Sequence, residues 1–150
     1  MTQYVPLAAF IGLVCFAAVT GALFSTGTWY EALNKPWWTP PNWLFSIVWP
    51  VLYIMIAVGG WRVWKVEGIG PAVAVWGIGL TLNAAWSWIM FGEHQIGWAL
   101  ADLIAMWISI AVFIWIAWPL DRTAACLFLP YLIWAGYAGA LNLNIWQNNP

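Results

Sequence analysis

Polar and aromatic residues recur at helical spacing in four stretches of the sequence, and they are its strongest candidates for binding chemistry. Residues three or four positions apart lie on one face of a helix. Indole N–H, hydroxyl and amide groups set among aromatic rings suit a small, flat and mostly apolar ligand. The four sets, spaced i,i+4 or i,i+4,i+7, are Trp49 with Tyr53, Asn83 with Ser87, Trp98 with Asp102, and Trp134 with Ala138 and Leu141.

The residues that would support other chemistries are missing or isolated. His94 is the single histidine and stands beside Glu93, so the sequence predicts no metal site. There is no P-loop, no G-x-G-x-x-G and no G-x-S-x-G, which argues against nucleotide-driven transport and serine hydrolysis. Cys15 and Cys126 are expected to be buried as small apolar residues without a disulfide. We therefore expect no catalytic residue and no required cofactor.

The composition places the chain in a membrane. Of 150 residues, 65% are hydrophobic and 6% are charged, with four Lys or Arg and five Asp or Glu. A soluble domain carries about 25% charged residues. Four basic residues cannot form a nucleic-acid-binding surface, so nucleic acid is excluded as a partner and membrane lipid is expected to surround the chain. The sixteen tryptophans exceed what anchoring at the membrane interfaces requires.

The charged residues divide the chain into five apolar segments. Each segment can hold the roughly 20 residues that cross a bilayer as a helix. The apolar runs are unbroken rather than alternating, which favours helices over transmembrane strands. The first segment lacks a basic start and is too long for a signal peptide, so we keep it as a helix. We predict that residues 1–150 form one all-α membrane domain, a bundle of five transmembrane helices at 4–24, 43–64, 70–91, 95–118 and 124–146.

One connection, from Ser25 to Asn42, is much longer than the others. Long connections in compact proteins are usually functional or disordered, and four aromatic residues argue against disorder. Its three prolines exclude a continuous helix, so we expect a short helical turn followed by an extended strap at the interface. Arg62, Lys65 and Arg122 lie on the opposite side, against Lys35 alone on the loop side. The positive-inside rule therefore predicts that the side opposite the long loop is cytoplasmic.

Most polar residues within the predicted helices fall in the half of the bilayer next to the long loop. Tyr53, Asn83, Asp102 and Asn142 reach similar depth there, because helices 2 and 4 begin on that side and helices 3 and 5 end there. An unsatisfied polar group in hydrocarbon costs several kcal/mol, so these faces should turn inward. We predict a pocket in this leaflet, capped by the long loop. About half of the tryptophans are assigned instead to interfacial belts and lipid-facing packing.

Asp102 is the one charged residue that lies away from the ends of the predicted helices. Ionisable residues within a membrane are rare and are functional candidates by default. Its expected partners are Asn83, Ser87, Tyr53 or a tryptophan N–H. Two interpretations stay open: a polar anchor between helices, or a direct contact to ligand or proton.

Five stretches in a fixed order carry a resemblance to a known family. They are WYEALNKPWWTPPNW in the long loop, VWPVLY in helix 2, LNAAWSWIMFG at the end of helix 3, GWALADL at the start of helix 4 and LPYLIWAGYAGALN in helix 5. Together they cover nearly the whole chain. The sequence resembles the TspO/MBR family, the tryptophan-rich sensory proteins related to the mitochondrial translocator protein, or peripheral-type benzodiazepine receptor.

The resemblance implies a five-helix bundle, usually a homodimer, that binds tetrapyrroles such as protoporphyrin IX and haem, cholesterol-type lipids, and benzodiazepine-like or isoquinoline carboxamide drugs. The family's sterol motif near the carboxyl end needs a Tyr followed by Lys or Arg, whereas this chain has Leu143 and Gln147, which weakens the expectation of sterol binding. The ligand-binding residues that the resemblance implies are Tyr30, Trp37, Trp38, Trp49, Tyr53, Asn83, Trp86, Trp98, Trp134, Ala138 and Leu141.

The resemblance leaves more than one function open. The first is a porphyrin sensor or transporter in tetrapyrrole and stress regulation, held as a multi-pass protein in a bacterial-type cell-envelope membrane. The alternative is a light-dependent porphyrin-degrading enzyme, in which indoles such as Trp49 and Trp134 donate electrons to the excited ring. A third interpretation, a structural or channel-like dimer, predicts no saturable ligand.

Overall fold

A computed structural model describes residues 4–150, and that part of the chain is helical throughout its regular structure. A π-helical turn, Trp88–Gly92, extends the fourth helix. The helices are α1 Val5–Leu23, α2 Thr28–Ala32, α3 Asn42–Glu67, α4 Pro71–Ser87, α5 Ile96–Leu120, α6 Arg122–Leu127 and α7 Leu129–Asn148.

Five helical segments are long and apolar enough to cross a membrane: α1, α3, α4 with its π-helical turn, α5, and α6 with α7. Each begins and ends within three residues of the bounds expected from the sequence. The predicted fold class is therefore confirmed. The expected helical turn of the long connection is α2, and the rest of that connection is non-helical up to Asn42.

Proline marks where several helices begin. Pro6, Pro71 and Pro130 occupy the first positions of α1, α4 and α7, where a missing N–H leaves no hydrogen bond unmade. Pro50 instead lies inside α3. Because proline has no N–H, the carbonyl of Ser46 lacks its usual helical donor.

The membrane-length segments form a ring in the order α1, α3, α6 with α7, α5 and α4. Its core on the side opposite the long loop is aromatic. Phe10 of α1 packs edge-on against Trp76 of α4, with ring centroids 4.8 Å apart. The N–H of Trp76 donates to the carbonyl of Ile56 in α3 at 2.8 Å. Three helices are thereby joined at one point.

Two adjacent glycines let α3 approach its neighbours closely. A Cβ at Gly60 would lie 2.5 Å from Nε1 of Trp76 and 2.9 Å from Phe10. A Cβ at Gly59 would lie 2.6 Å from the ring of Phe128. The bundle is closed at this depth because neither position has a side chain.

An ion pair joins α3 to the start of α6 near the membrane surface. Arg62 Nη2 lies 2.9 Å from Asp121 Oδ2, and Arg62 Nε donates to Asp121 Oδ1 at 3.1 Å. Asp121 also caps α6 by accepting the N–H of Ala124 at 2.9 Å. Burial raises the pKa of Asp121, but the hydrogen bonds and the charge of Arg62 outweigh it and hold that pKa below its usual value.

The expectation that both cysteines are buried is wrong. Cys15 in α1 and Cys126 in α6 are exposed. In α1 the most apolar window has a mean hydropathy of 2.2, yet only 17% of it is buried. Because lipid accepts apolar side chains on every face of a helix, hydropathy does not indicate which face turns inward.

Replacing Gly60 by Ala should destabilise the bundle, because the added methyl group overlaps Trp76 and Phe10. We expect a loss of about 1–3 kcal/mol, measured as a lower midpoint of thermal unfolding in detergent. Gly77→Ala is the matched control, since nothing lies within 4 Å of a Cβ there. Equal midpoints for the two variants would contradict close packing at Gly60.

The pair of Arg62 and Asp121 should make stability depend on pH. Since the folded pKa of Asp121 lies below its unfolded value of about 3.9, its contribution is complete above that pH and is lost as pH falls through the folded pKa. Asp121→Asn should lower stability by at most about 1 kcal/mol at neutral pH. The difference in unfolding midpoint should disappear in acid; a difference that grows in acid would contradict the assignment.

Candidate functional site

A cavity of about 900 Å³ lies between α1, α3, α4, α5 and α7. Ligand sites in proteins are typically about 300–1,000 Å³, so it can hold a sizeable molecule. The cavity has two parts with different walls, a chamber and a groove. The chamber is lined by Trp49, Tyr53, Asn83, Trp86, Ala138 and Asn142, and the groove between α1 and α3 is lined by Leu7, Ile11, Cys15, Ser46, Pro50, Ile54 and Val58.

The chamber has aromatic walls. Trp49 stacks on Tyr53 one turn further along α3, with centroids 5.4 Å apart and ring planes at 30°. On the facing side Trp86 meets Phe91 edge-on, with centroids also 5.4 Å apart. Flat aromatic faces of this kind suit a planar, mostly apolar ligand.

Asn83 holds the chamber wall together by hydrogen bonds to two tyrosines. Its Oδ1 accepts the hydroxyl of Tyr53 in α3 at 3.1 Å, and its Nδ2 donates to the hydroxyl of Tyr131 in α7 at 3.0 Å. The side chain is only 4% exposed. In a bilayer such groups must be satisfied by protein, so this amide fixes α3, α4 and α7 relative to each other.

Asn142 plays the same part on the loop side of the chamber. Its Nδ2 donates to the carbonyl of Ile96 in α5 at 3.0 Å, and its Oδ1 accepts the indole N–H of Trp86 at 3.2 Å. The sequence placed Asn142 among the polar residues expected to turn inward, but the ligand-binding set implied by the resemblance contains its neighbour Leu141. Adjacent helical positions differ by about 100° in direction, and the polar amide in an apolar helix is the signal that marks Asn142 as the inward residue of the two.

The π-helical turn at Trp88–Gly92 was not predicted. The N–H of Glu93 bonds to the carbonyl of Trp88 at 2.9 Å, one residue wider than an α-helix allows. Met90 and Phe91 of this turn both line the cavity. The extra residue thus directs two apolar side chains into the site, and a smooth hydropathy pattern gave no sign of it.

Hydrogen bonds within the long loop fix the shape of the segment that lies over this end of the bundle. The amine of Lys35 donates to the carbonyls of Tyr30, Glu31 and Leu33 at 2.5, 3.0 and 3.2 Å. The ring of Tyr30 is buried and lines the cavity. Burial raises the pKa of Tyr30, so its hydroxyl stays neutral at physiological pH.

The loop is also tied to the rest of the chain. Asn34 N–H donates to the side chain of Asn149 at 2.9 Å, and Asn149 Nδ2 donates back to the Asn34 carbonyl at 3.0 Å. The ring of Trp29 stacks on His94, with centroids 4.1 Å apart. These contacts attach the long loop to the end of α7 and to the connection before α5.

The structure brings together six of the eleven residues that the resemblance implied. Trp37 is 95% exposed and Trp98 is 72% exposed, so neither faces the cavity. The remaining three lie outside its wall: Trp38 packs against Tyr137, Trp134 packs between Phe45 and Tyr137, and Leu141 is buried in the adjoining core. The six that line the cavity are Tyr30, Trp49, Tyr53, Asn83, Trp86 and Ala138.

Asp102 does not line the cavity and does not meet the partners expected for it. Its Oδ2 is buried with no hydrogen-bond partner among residues 4–150. The amide of Asn83 is already engaged by the two tyrosines. The inward face of α5 follows Ala99, Leu103 and Met106, so Asp102 lies to one side of it. Within residues 4–150 Asp102 does not make the hydrogen bonds of a polar anchor, and its direct contact to ligand or proton stays a prediction.

Replacing Asn83 by Ala should leave the hydroxyls of Tyr53 and Tyr131 unpaired in a low-dielectric interior. We expect a loss of about 1–3 kcal/mol, read as a lower unfolding midpoint. Thr81→Ala is the matched control, because Thr81 is exposed and bonds only to Gly77 in its own helix. If both variants unfold at the wild-type temperature, the network does not stabilise the bundle.

Comparison with known proteins agrees with this architecture. The TspO/MBR family model matches residues 9–147. A tryptophan-rich sensory protein of Cereibacter sphaeroides is 41% identical over 132 residues, covering 88% of this chain and 84% of that protein. Protein CrtK of Rhodobacter capsulatus is 37% identical over 145 residues, 94% of this chain and 90% of its own. The human translocator protein is 36% identical over 155 residues, 97% of this chain and 91% of its own.

Proposed function

The chain belongs to the TspO/MBR family and is a multi-pass membrane protein, and we propose that it binds tetrapyrroles such as protoporphyrin IX or haem in the chamber. The names of its relatives, sensory protein and translocator protein, support a sensory or translocator role in a membrane. The observation that carries the ligand proposal is an aromatic-walled cavity of about 900 Å³ with few, uncharged polar groups.

The proposed placement follows from the polarity of the walls. The flat, apolar macrocycle would lie against Trp49, Tyr53 and Trp86. None of the described charged residues lines the cavity. Ionised propionates are costly to bury without a partner, so they would stay at the loop end, where Thr26 and Asn42 line the cavity.

We propose that the same apolar chamber admits benzodiazepine-type drugs. Sterol binding has less support, because Leu143 and Gln147 replace the Tyr and the basic residue of the family's sterol motif. We propose a bacterial-type envelope membrane as the location and a homodimer as the assembly.

Filling the chamber should abolish porphyrin binding. Ala138 lies in its wall, and Ala138→Phe would place a ring where the macrocycle is proposed to lie. We expect protoporphyrin IX to bind wild type saturably, with quenching of tryptophan fluorescence, and to bind the variant at least about tenfold more weakly.

The control is Ala140→Phe, two residues along the same helix at an exposed position outside the cavity wall. It should bind porphyrin as wild type does. Equal affinity for the Ala138→Phe variant, or non-saturable quenching of wild type, would refute the proposed site.

Photochemistry is a second candidate, favoured by the aromatic chain beside the chamber. Trp49 stacks on Tyr53, and it meets Tyr131 edge-on with the centroids of Trp49 and Tyr131 6.5 Å apart. After Trp49 has given up an electron, either tyrosine is close enough to replace it. Illuminating bound protoporphyrin IX and following its absorbance distinguishes the two. A binder leaves the spectrum unchanged beyond the bleaching seen with free porphyrin, and an enzyme converts it to a new product.

A further inference from the structure

The groove between α1 and α3 is the open side of the cavity. Its α3 wall follows the spacing i,i+4,i+8,i+12 from Ser46 through Pro50 and Ile54 to Val58. Its α1 wall includes Leu7, in the first turn of that helix. From Asn42 to Val58 the cavity runs about 24 Å along α3 at 1.5 Å per residue, most of the roughly 30 Å of hydrocarbon.

Most side chains along this groove are exposed although they line the cavity, and Leu7 and Val58 at its apolar end are half-buried. Ile54 is 67% exposed, Ile11 is 46% exposed, and Cys15 is also exposed. Behind the groove the helices do meet, where Gly60 of α3 approaches Phe10 of α1. The cavity therefore opens toward the surrounding lipid along this groove, and the contact of Gly60 with Phe10 limits it at the end opposite the long loop.

The groove is amphipathic along its length. Its loop end is polar and uncharged, with Thr26, Asn42 and Ser46 in the wall. At Ser46 the backbone carbonyl is also available, since Pro50 cannot donate to it. The opposite end, at Leu7 and Val58, is purely apolar. This is the polarity profile of a single lipid molecule standing in one orientation.

The chemistry of the loop end selects a class of headgroup. Hydroxyl and amide groups and a free carbonyl hydrogen-bond well with hydroxyls. None of the described Lys, Arg, Asp or Glu residues lines the cavity, so an ionised headgroup would have no opposite charge there. A neutral headgroup with several hydroxyls fits, and a carboxylate or phosphate does not.

We propose that the α1–α3 groove binds a neutral single-chain glycerolipid, with the glycerol hydroxyls at Asn42 and Ser46 and the acyl chain along Ile54, Val58 and Ile11. The inference rests on the proposed function only in taking this cavity as a ligand site. Because lipid tails are as apolar as the groove, moving the chain from bilayer to groove gains little. Selectivity comes from the headgroup and from the shape of the groove.

The test uses the full chain in phosphatidylcholine nanodiscs with a photoreactive oleoylglycerol that carries its diazirine near the chain end. Labelled peptides are identified by mass spectrometry. We expect labelling of α1 and α3 at the groove, which excess unlabelled oleoylglycerol suppresses and excess oleate does not. Equal suppression by oleate, or labelling spread over all lipid-facing helices, would overturn the proposal.

Two variants sharpen the result. Ile54→Trp fills the groove and should reduce the saturable labelling about tenfold. Ile78→Trp makes the same change at a 57% exposed position of α4 that does not line the cavity, and it should label as wild type does. Their unfolding midpoints should agree, because both side chains face outward. If Ile54→Trp labels as wild type does, the groove is not the site.

Porphyrin binding is measured on the same preparations. Saturable porphyrin binding without selective lipid labelling would refute the groove and leave the proposed function intact. Selective lipid labelling without porphyrin binding would refute the proposed function and support the groove. Labelling that Ala138→Phe leaves unchanged would place the lipid in the groove rather than in the chamber, as proposed.

Discussion

The amide of Asn83 stands between the hydroxyls of Tyr53 and Tyr131, and the chamber depends on that arrangement. In hydrocarbon no water is available to take over a broken hydrogen bond, so three helices are held in one relative position by groups that have no other partner. Nearer the loop, the amide of Asn142 bridges helices in the same way, joining Trp86 to the backbone of α5. The two asparagines thus hold the helices in place, and the aromatic rings of those helices surround the empty space of the chamber.

The two ends of the bundle differ because of this arrangement. On the side opposite the long loop, Gly59 and Gly60 let α3 pack directly against Phe128, Trp76 and Phe10. On the loop side the helices separate around the chamber, and the loop covers it, held by the contact of Asn34 with Asn149 and by the stacking of Trp29 on His94. With the cover fastened, the side of the cavity between α1 and α3 faces lipid. A protein built this way is suited to ligands that partition into membranes.

Sequence reasoning predicted the fold closely and the site in part, and the difference has a physical cause. The number and bounds of the helices follow from the spacing of the charged residues, because charged side chains are costly to place in the hydrocarbon of the bilayer. The face of each helix that turns inward is harder to predict. It can be predicted only where a polar residue such as Asn83 indicates it. On α5 nearly every side chain is acceptable to lipid, so Trp98 could be assigned inward although it is 72% exposed. The π-helical turn that aims Met90 and Phe91 into the cavity left no mark on the hydropathy pattern.

The central claim is that a planar tetrapyrrole lies against the chamber tryptophans and not against those of the outer surface. Fluorine NMR of protein containing fluorotryptophan, with each resonance assigned by a Trp→Phe variant, tests it directly, because the ring current of protoporphyrin IX shifts nearby nuclei strongly. The account predicts saturable shifts at Trp49 and Trp86 and none at Trp98 or Trp115, which are exposed. Shifts confined to Trp98 and Trp115, with Trp49 and Trp86 unmoved, would contradict it.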